Sequence, residues 1–183
     1  FVDDYSTILP IFKTGNLKES KKAHPYMDKA IQKGSVVIQK HSIKIRGKEY
    51  CKWIDDNYFM VGKAYFYKGE FDEAIKTFVF IADEYKKSFI SYDALLWLSR
   101  CYLEKSDFAS SEAILIDLEN NRKFPEELEK DYEIITADLY LRQGNLPLAK
   151  NAILNCLKKH KVGKDKARLN FILAQIYQLE EQY

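Results

Sequence analysis

Four tyrosines, Tyr65, Tyr102, Tyr140 and Tyr177, recur at intervals of 37, 38 and 37 residues. Three residues before each stands a small side chain: Gly62, Ser99, Ala137 and Ala174. One residue earlier still are Val61, Leu98, Thr136 and Leu173. Four residues after each tyrosine come Gly69, Ser106, Gly144 and Glu181. In the first three units an apolar residue then follows (Phe71, Phe108, Leu146), then a small one (Ala74, Ser111, Ala149), then a large one (Phe78, Leu115, Ile153). Columns that stay in register over such intervals mark a tandem repeat of one supersecondary unit. A single unit cannot bury its apolar stripe, so neighbouring units must share a core.

Each unit reads as two helices. In the first, Trp53, Tyr58, Val61, Tyr65 and Phe66 place apolar residues at helical spacing, which predicts a helix over about 48–68 ended by Gly69. Phe71, Ala74, Ile75, Phe78, Ala82 and Tyr85 form one stripe and predict a second helix over about 71–87. The third unit opens with Phe124-Pro125-Glu126-Glu127, a proline and first-turn acids at a helix start. Its second helix closes on Lys158-Lys159-His160-Lys161, cations at the negative end of the helix dipole. The small columns should let paired helices approach closely, with Gly62, Ser99 and Ala137 facing Ala74, Ser111 and Ala149, and the tyrosines packing between neighbouring units.

The chain is therefore expected to be all-α, a solenoid of helical hairpins over residues 50–183. Three repeats are placed at about 55–88, 92–125 and 130–163, with the first helix of a fourth at 167–183. Residues 1–49 fit the repeat poorly. They are expected to hold a short helix or turn over 3–12, a capping helix at about 24–41 opened by Ala23-His24-Pro25, and a basic linker over 42–50 with some extended character. The chain begins at Phe1 without an initiator Met and stops in mid-pattern, so it is expected to be part of a longer protein.

Composition removes several functional classes. Lys plus Arg number 29 against 27 for Asp plus Glu, and a net charge of +2 lacks the basic excess of a dedicated nucleic-acid binder. No stretch approaches the ~20 apolar residues of a membrane-spanning helix. Cys51, Cys101 and Cys156 are isolated and odd in number, with no CxxC pair for a metal or redox centre. Cys101 and Cys156 fall on apolar faces and are expected to be buried. Phosphate loops, HExxH and GxSxG are absent. His24, His41 and His160 lie too far apart to read as a metal site, and the acidic pairs (Asp55-Asp56, Glu126-Glu127) read as solvated helix surface. No catalytic residue, metal or cofactor is expected. The basic run over 158–168 reads as a helix end and exposed loop, or as a patch for an acidic partner or lipid headgroups.

The columns resemble the tetratricopeptide repeat (TPR), most plainly in Gly62-Lys63-Ala64-Tyr65-Phe66-Tyr67-Lys68-Gly69-Glu70-Phe71-Asp72-Glu73-Ala74. The interval exceeds the usual 34 residues, and the surplus is placed in loops near 88–91, 123–126 and 162–165. The early tryptophan of that family is replaced by Tyr58, Leu95, Glu133 and Asn170. Over nearly the whole chain, Asp4-Tyr5-Ser6-Thr7-Ile8-Leu9-Pro10-Ile11-Phe12, Met27-Asp28-Lys29-Ala30-Ile31, Val37-Ile38-Gln39-Lys40-His41-Ser42, Lys52-Trp53-Ile54-Asp55-Asp56 and the segment Phe171–Leu179 are similar to the N-terminal part of SprE/PorW-type lipoproteins of gliding motility and type IX secretion in Bacteroidetes.

The TPR resemblance implies a concave surface that binds other polypeptides. Its candidate residues are Phe59, Lys63, Phe66 and Tyr67 in the first unit and Leu96, Arg100, Leu103 and Glu104 in the second. Ile134, Asp138, Leu141 and Arg142 follow in the third, then Phe171, Gln175 and Gln178 in the fourth. The clamp by which some TPR proteins hold a C-terminal carboxylate is not expected, because Phe59, Trp97 and Asp131 stand at its positions. The narrower resemblance implies a non-enzymatic scaffold at the periplasmic face of the outer membrane, attached only through a lipid outside this segment, with protein partners and no nucleic acid. Two other expectations stay open: a TPR lipoprotein assisting outer-membrane protein assembly, and a docking domain of a larger enzyme.

Overall fold

The computed structural model describes residues 11–12, 17–86, 88–159 and 163–181, with side chains at 17–22, 48, 164 and 181 left aside. It is all-helical apart from one small hairpin. Its elements are α1 (Leu17–His41), β1 (Lys44–Ile45), β2 (Lys48–Glu49), α2 (Ile54–Lys68), α3 (Phe71–Glu84), α4 (Phe89–Glu104), α5 (Phe108–Glu119), α6 (Glu129–Arg142), α7 (Leu146–Lys159) and α8 (Lys166–Glu181). Single 3₁₀ turns at Glu126–Leu128 and Gly163–Asp165 precede α6 and α8. The chain forms two compact units, one spanning Gly15–Pro125 and the other Glu126–Tyr183 together with Phe1–Thr14.

In the first unit α1 packs along α2, α2 against α3, α3 against α4, and α4 against α5. Gly34 marks the close approach of α1 to α2, since a Cβ there would lie 2.6 Å from Val61 Cγ2. The core joins Phe66, Ala74, Phe78, Ile81, Ala94, Trp97, Leu98 and Cys101, with Tyr65 and Tyr102 packed against it. In the second unit α6 pairs with α7 and α7 with α8 around Ile134, Ala137, Ile153, Cys156, Leu169, Ile172 and Ile176.

One device ends the first helix of the three hairpins α2/α3, α4/α5 and α6/α7. Gly69, Ser106 and Gly144 all have left-handed backbone, with φ of 79°, 60° and 74°. Their N–H groups donate to the carbonyls of Phe66, Leu103 and Leu141. The next N–H in each case, of Glu70, Asp107 and Asn145, donates to the carbonyl of Tyr65, Tyr102 and Tyr140. These paired bonds form the Schellman arrangement that satisfies the last orphan carbonyls of a helix. The following helix begins at once: Asp107 caps α5 by accepting from Ser110 N–H at 3.2 Å, and Asn145 accepts from Leu148 N–H at 3.3 Å. In the α4/α5 and α6/α7 hairpins the stop and start signals thus occupy two adjacent residues, which fixes a tight turn between the paired helices.

The small columns also do what their size allows. Ser99 and Ser111 join α4 to α5 through a buried hydroxyl pair 2.8 Å apart. Gly62 accommodates Phe78, whose ring carbon would lie 2.7 Å from an added Cβ, so its close neighbour is that ring. Of the tyrosines, Tyr65, Tyr102 and Tyr140 are half-buried, whereas Tyr177 is exposed with the Lys150 ammonium 5.2 Å above its ring.

Several boundaries differ from expectation. The helix expected from about residue 24 begins at Leu17 and carries Pro25 inside it. The preceding run Leu17-Lys18-Glu19-Ser20-Lys21-Lys22-Ala23 is rich in strong helix formers, and extends the helix across the proline. The helix expected from 48 begins at Ile54, because 42–50 folds into a two-stranded ladder pairing Lys44 with Glu49 and Ile45 with Lys48. Arg46 and Gly47 both have positive φ, as a two-residue hairpin turn demands. Residues 88–91 are no loop: Ser88 caps α4 by accepting from Ser91 N–H. The segment over 3–12 lies outside the described residues except for Ile11 and Phe12, which form a bend.

Candidate functional site

Side chains from the expected binding columns of α2 and α4 converge on Trp97. Phe66, Tyr67 and Phe59 meet its ring edge-on, with centroids 5.2, 5.7 and 6.4 Å away. Phe78 stacks against it at 6.1 Å from the core side. Two cations complete the cluster. The Lys63 ammonium sits 4.8 Å from the Trp97 ring centre and 5.4 Å from that of Phe59. The Arg100 guanidinium lies 4.2 Å from Trp97 and 5.0 Å from Phe66. Aromatic pairs add about 0.5–1.5 kcal/mol each beyond area burial, and cation–π contacts about 0.5–2 kcal/mol with increasing desolvation. The cluster is therefore a rigid platform whose charged and aromatic groups are already oriented.

The platform reaches solvent through Tyr67, 51% exposed, whereas Phe66, expected to face a partner, and Trp97 are each 9% exposed and belong to the core cluster. Gly62 positions it indirectly: the missing Cβ leaves room for Phe78, and Phe78 supports Trp97. Beside it, Phe59 also lines a shallow cleft of about 320 Å³ with Asp55, Asp56, Phe89, Ile90 and Asp93. Burial, reinforced by the Asp55 charge, raises the Asp56 carboxyl above its ordinary pKa. Positive and negative groups thus flank one aromatic surface.

Other expected site residues are placed differently. Leu96 and Leu103, expected to face a partner, are each 1% exposed and belong to the interior. They fall on the packed side of α4 because that helix is buried around much of its circumference, with nine buried residues along its length. Glu104 is half-buried. Ile134 is core, Leu141 packs against it, and Asp138 is fully buried and paired with Arg142 at 2.8 Å. Phe171 and Gln178 are exposed and Gln175 half-buried. From the sequence alone, Trp97 stands out only as a residue that blocks a carboxylate clamp. Its position directly after Leu96 and three before Arg100 was the available signal for its place at the centre.

Burial raises the Cys101 thiol to about 12 and the Cys156 thiol to about 11, and all three cysteines are unpaired by disulfides. Lys159 of the basic run pairs with Glu133 at 2.9 Å. Its residues 160–162 lie outside the described residues. Among the described residues no group of three or more His, Cys, Asp or Glu could hold a metal ion. No described helix is long and apolar enough to cross a membrane. No protein-family model matches the chain, and no curated protein matches it significantly.

Proposed function

We propose that this chain is a non-catalytic protein-interaction module built as a TPR-like solenoid, and that the Trp97 platform takes an extended polypeptide segment. The observation that carries this reading is the convergence of equivalent repeat columns on one aromatic centre: Lys63 and Arg100 each follow the small residue of their unit, and both lie over Trp97. Aromatic and arginine side chains are the groups that most often dominate protein–protein affinity. Two cations beside aromatic faces favour a partner segment that offers carboxylates next to aromatic or aliphatic residues.

The setting in which such a module works rests on the resemblance to SprE/PorW-type lipoproteins. On that reading the chain is a scaffold of a gliding-motility or type IX secretion apparatus at the periplasmic face of the outer membrane, held to the membrane by a lipid outside this segment.

The test is selection from a displayed random-peptide library on the intact chain. Enrichment of acidic–aromatic sequences, with capture reduced at least ten-fold by Lys63→Glu together with Arg100→Glu, is the expected result. Failure to enrich any sequence, or equal capture by the double variant, contradicts the proposal.

A further inference from the structure

The second unit contains a segment of chain that belongs to none of its helices. Ile11 is 6% exposed and packs within the cluster of Ile134, Ala137, Ile153, Leu169, Ile172 and Ile176, with Phe12 packed against the same cluster. Its backbone N–H donates to Asp138 Oδ1 at 3.2 Å, across 127 residues of sequence. The other carboxylate oxygen of Asp138, Oδ2, accepts from Arg142 Nε at 2.8 Å. One buried carboxylate therefore holds the main chain of a distant segment with one oxygen and a cation with the other.

This arrangement is more than core packing requires. A buried ion pair often contributes less stability than apolar residues of similar volume, so stability alone does not account for it. Here the bonded partner is a backbone N–H, a feature of any polypeptide, while the apolar contacts select the aliphatic side chain beside it. Asp138 also occupies the column of Lys63 and Arg100, directly after the small residue of its unit. The position that carries a cation over Trp97 in two units carries in the third a carboxylate that grips a peptide.

We propose that the Asp138 pocket is a docking site for a polypeptide segment bearing an aliphatic–aromatic pair, and that Ile11–Phe12 occupies it in cis until a partner segment of the same chemistry displaces it. A partner that wins this exchange releases Ile11 and Phe12 from the cluster. The proposal stands on the second unit alone and does not rest on the Trp97 platform, so the two can fail separately.

The probe is a fluorescein-labelled synthetic peptide with the sequence of residues 6–15, followed by anisotropy on the full chain. Ile11→Ser with Phe12→Ser should bind it at least ten-fold more tightly than the unaltered chain, and adding Asp138→Ala should remove that gain. Equal binding by the unaltered and vacated chains, or no binding by the vacated chain, overturns the proposal. A second measurement needs no variant: amide hydrogen exchange at Ile11 in the unaltered, isotope-labelled chain. Excess unlabelled peptide should accelerate that exchange at least ten-fold through displacement. An unchanged rate under excess peptide overturns the proposal even if the vacated variant fails to fold.

Discussion

Ser99 Oγ and Ser111 Oγ meet 2.8 Å apart, and both residues are fully buried. Each hydroxyl is the other's partner across the α4/α5 interface, so neither can be removed alone without leaving a buried polar group unsatisfied. Ser99→Ala or Ser111→Ala should each cost about 1–3 kcal/mol. The double variant should cost less than the sum, because two small apolar groups then face each other. A double-mutant cycle by chemical denaturation checks this, and strict additivity would show that the two hydroxyls do not depend on one another.

Ser106 holds a left-handed φ of 60° at the position where the other two hairpins carry Gly69 and Gly144. That conformation costs an L-residue about 1–2 kcal/mol, which glycine does not incur. Glycine also gains freedom in the unfolded chain, offsetting part of this. Ser106→Gly should therefore stabilise the chain by about 1 kcal/mol, measurable as a higher denaturation midpoint with an unchanged slope. Destabilisation would mean that the serine side chain makes a compensating contact.

Gly62→Ala sets two effects against each other. Helix propensity favours alanine by about 1 kcal/mol, whereas overpacking a filled core costs about 1–3 kcal/mol. The added Cβ would lie 2.7 Å from the fully buried Phe78 ring, so overpacking should win. The substitution should lower stability and also shift Trp97 fluorescence, because Phe78 stacks on Trp97. Phe78→Leu introduced into the Gly62→Ala chain should cost less than Phe78→Leu introduced alone, since the ring that clashes is gone. Equal costs in the two backgrounds would separate Gly62 from the platform.

The repeat was legible because each column has a local physical reason. Gly69 and Gly144 signalled left-handed helix ends, and small residues signalled close helix approach, without any knowledge of the rest of the chain. Ser106 and the Ser99–Ser111 pair followed from register alone. The α1 start was not legible, since helix formers before Pro25 competed with a proline that reads as a start signal. Nor was the turn of the 42–50 hairpin, which rests on Arg46 and Gly47, although the alternation of Ile43 and Ile45 with Lys44 and Arg46 marks the segment as extended. Trp97 and Ile11 escaped for a different reason. A cluster gathered from three helices, and a contact spanning 127 residues, depend on how elements pack and leave no periodic mark.

Glu49 organises the hairpin through a carboxylate bonded to the Ser42 hydroxyl and to the N–H groups of Ile43 and Cys51. The Ser42 hydrogen bond, assisted by those backbone N–H groups, holds its carboxyl at about 2, below the ordinary 4.5. A lowered carboxylate pKa means that the contribution is fully present above about 4.5 and is lost as pH falls through about 2. Carboxyl carbon NMR should give a Glu49 midpoint near 2 that rises in Ser42→Ala. A midpoint near 4.5 in the unaltered chain would mean that the carboxylate is not held by these donors.

The most direct measurement of the binding claim uses Trp97 as its own reporter. Trp53, 61% exposed and outside the platform, is replaced by Phe, leaving Trp97 as the only tryptophan. The chain is then titrated with the acidic–aromatic peptides enriched by library selection. The expected result is a saturable change in tryptophan emission that disappears with Lys63→Glu and Arg100→Glu. Emission that stays constant while the same peptides bind, or changes equally in the charge-reversed chain, would place recognition elsewhere and contradict the platform's role.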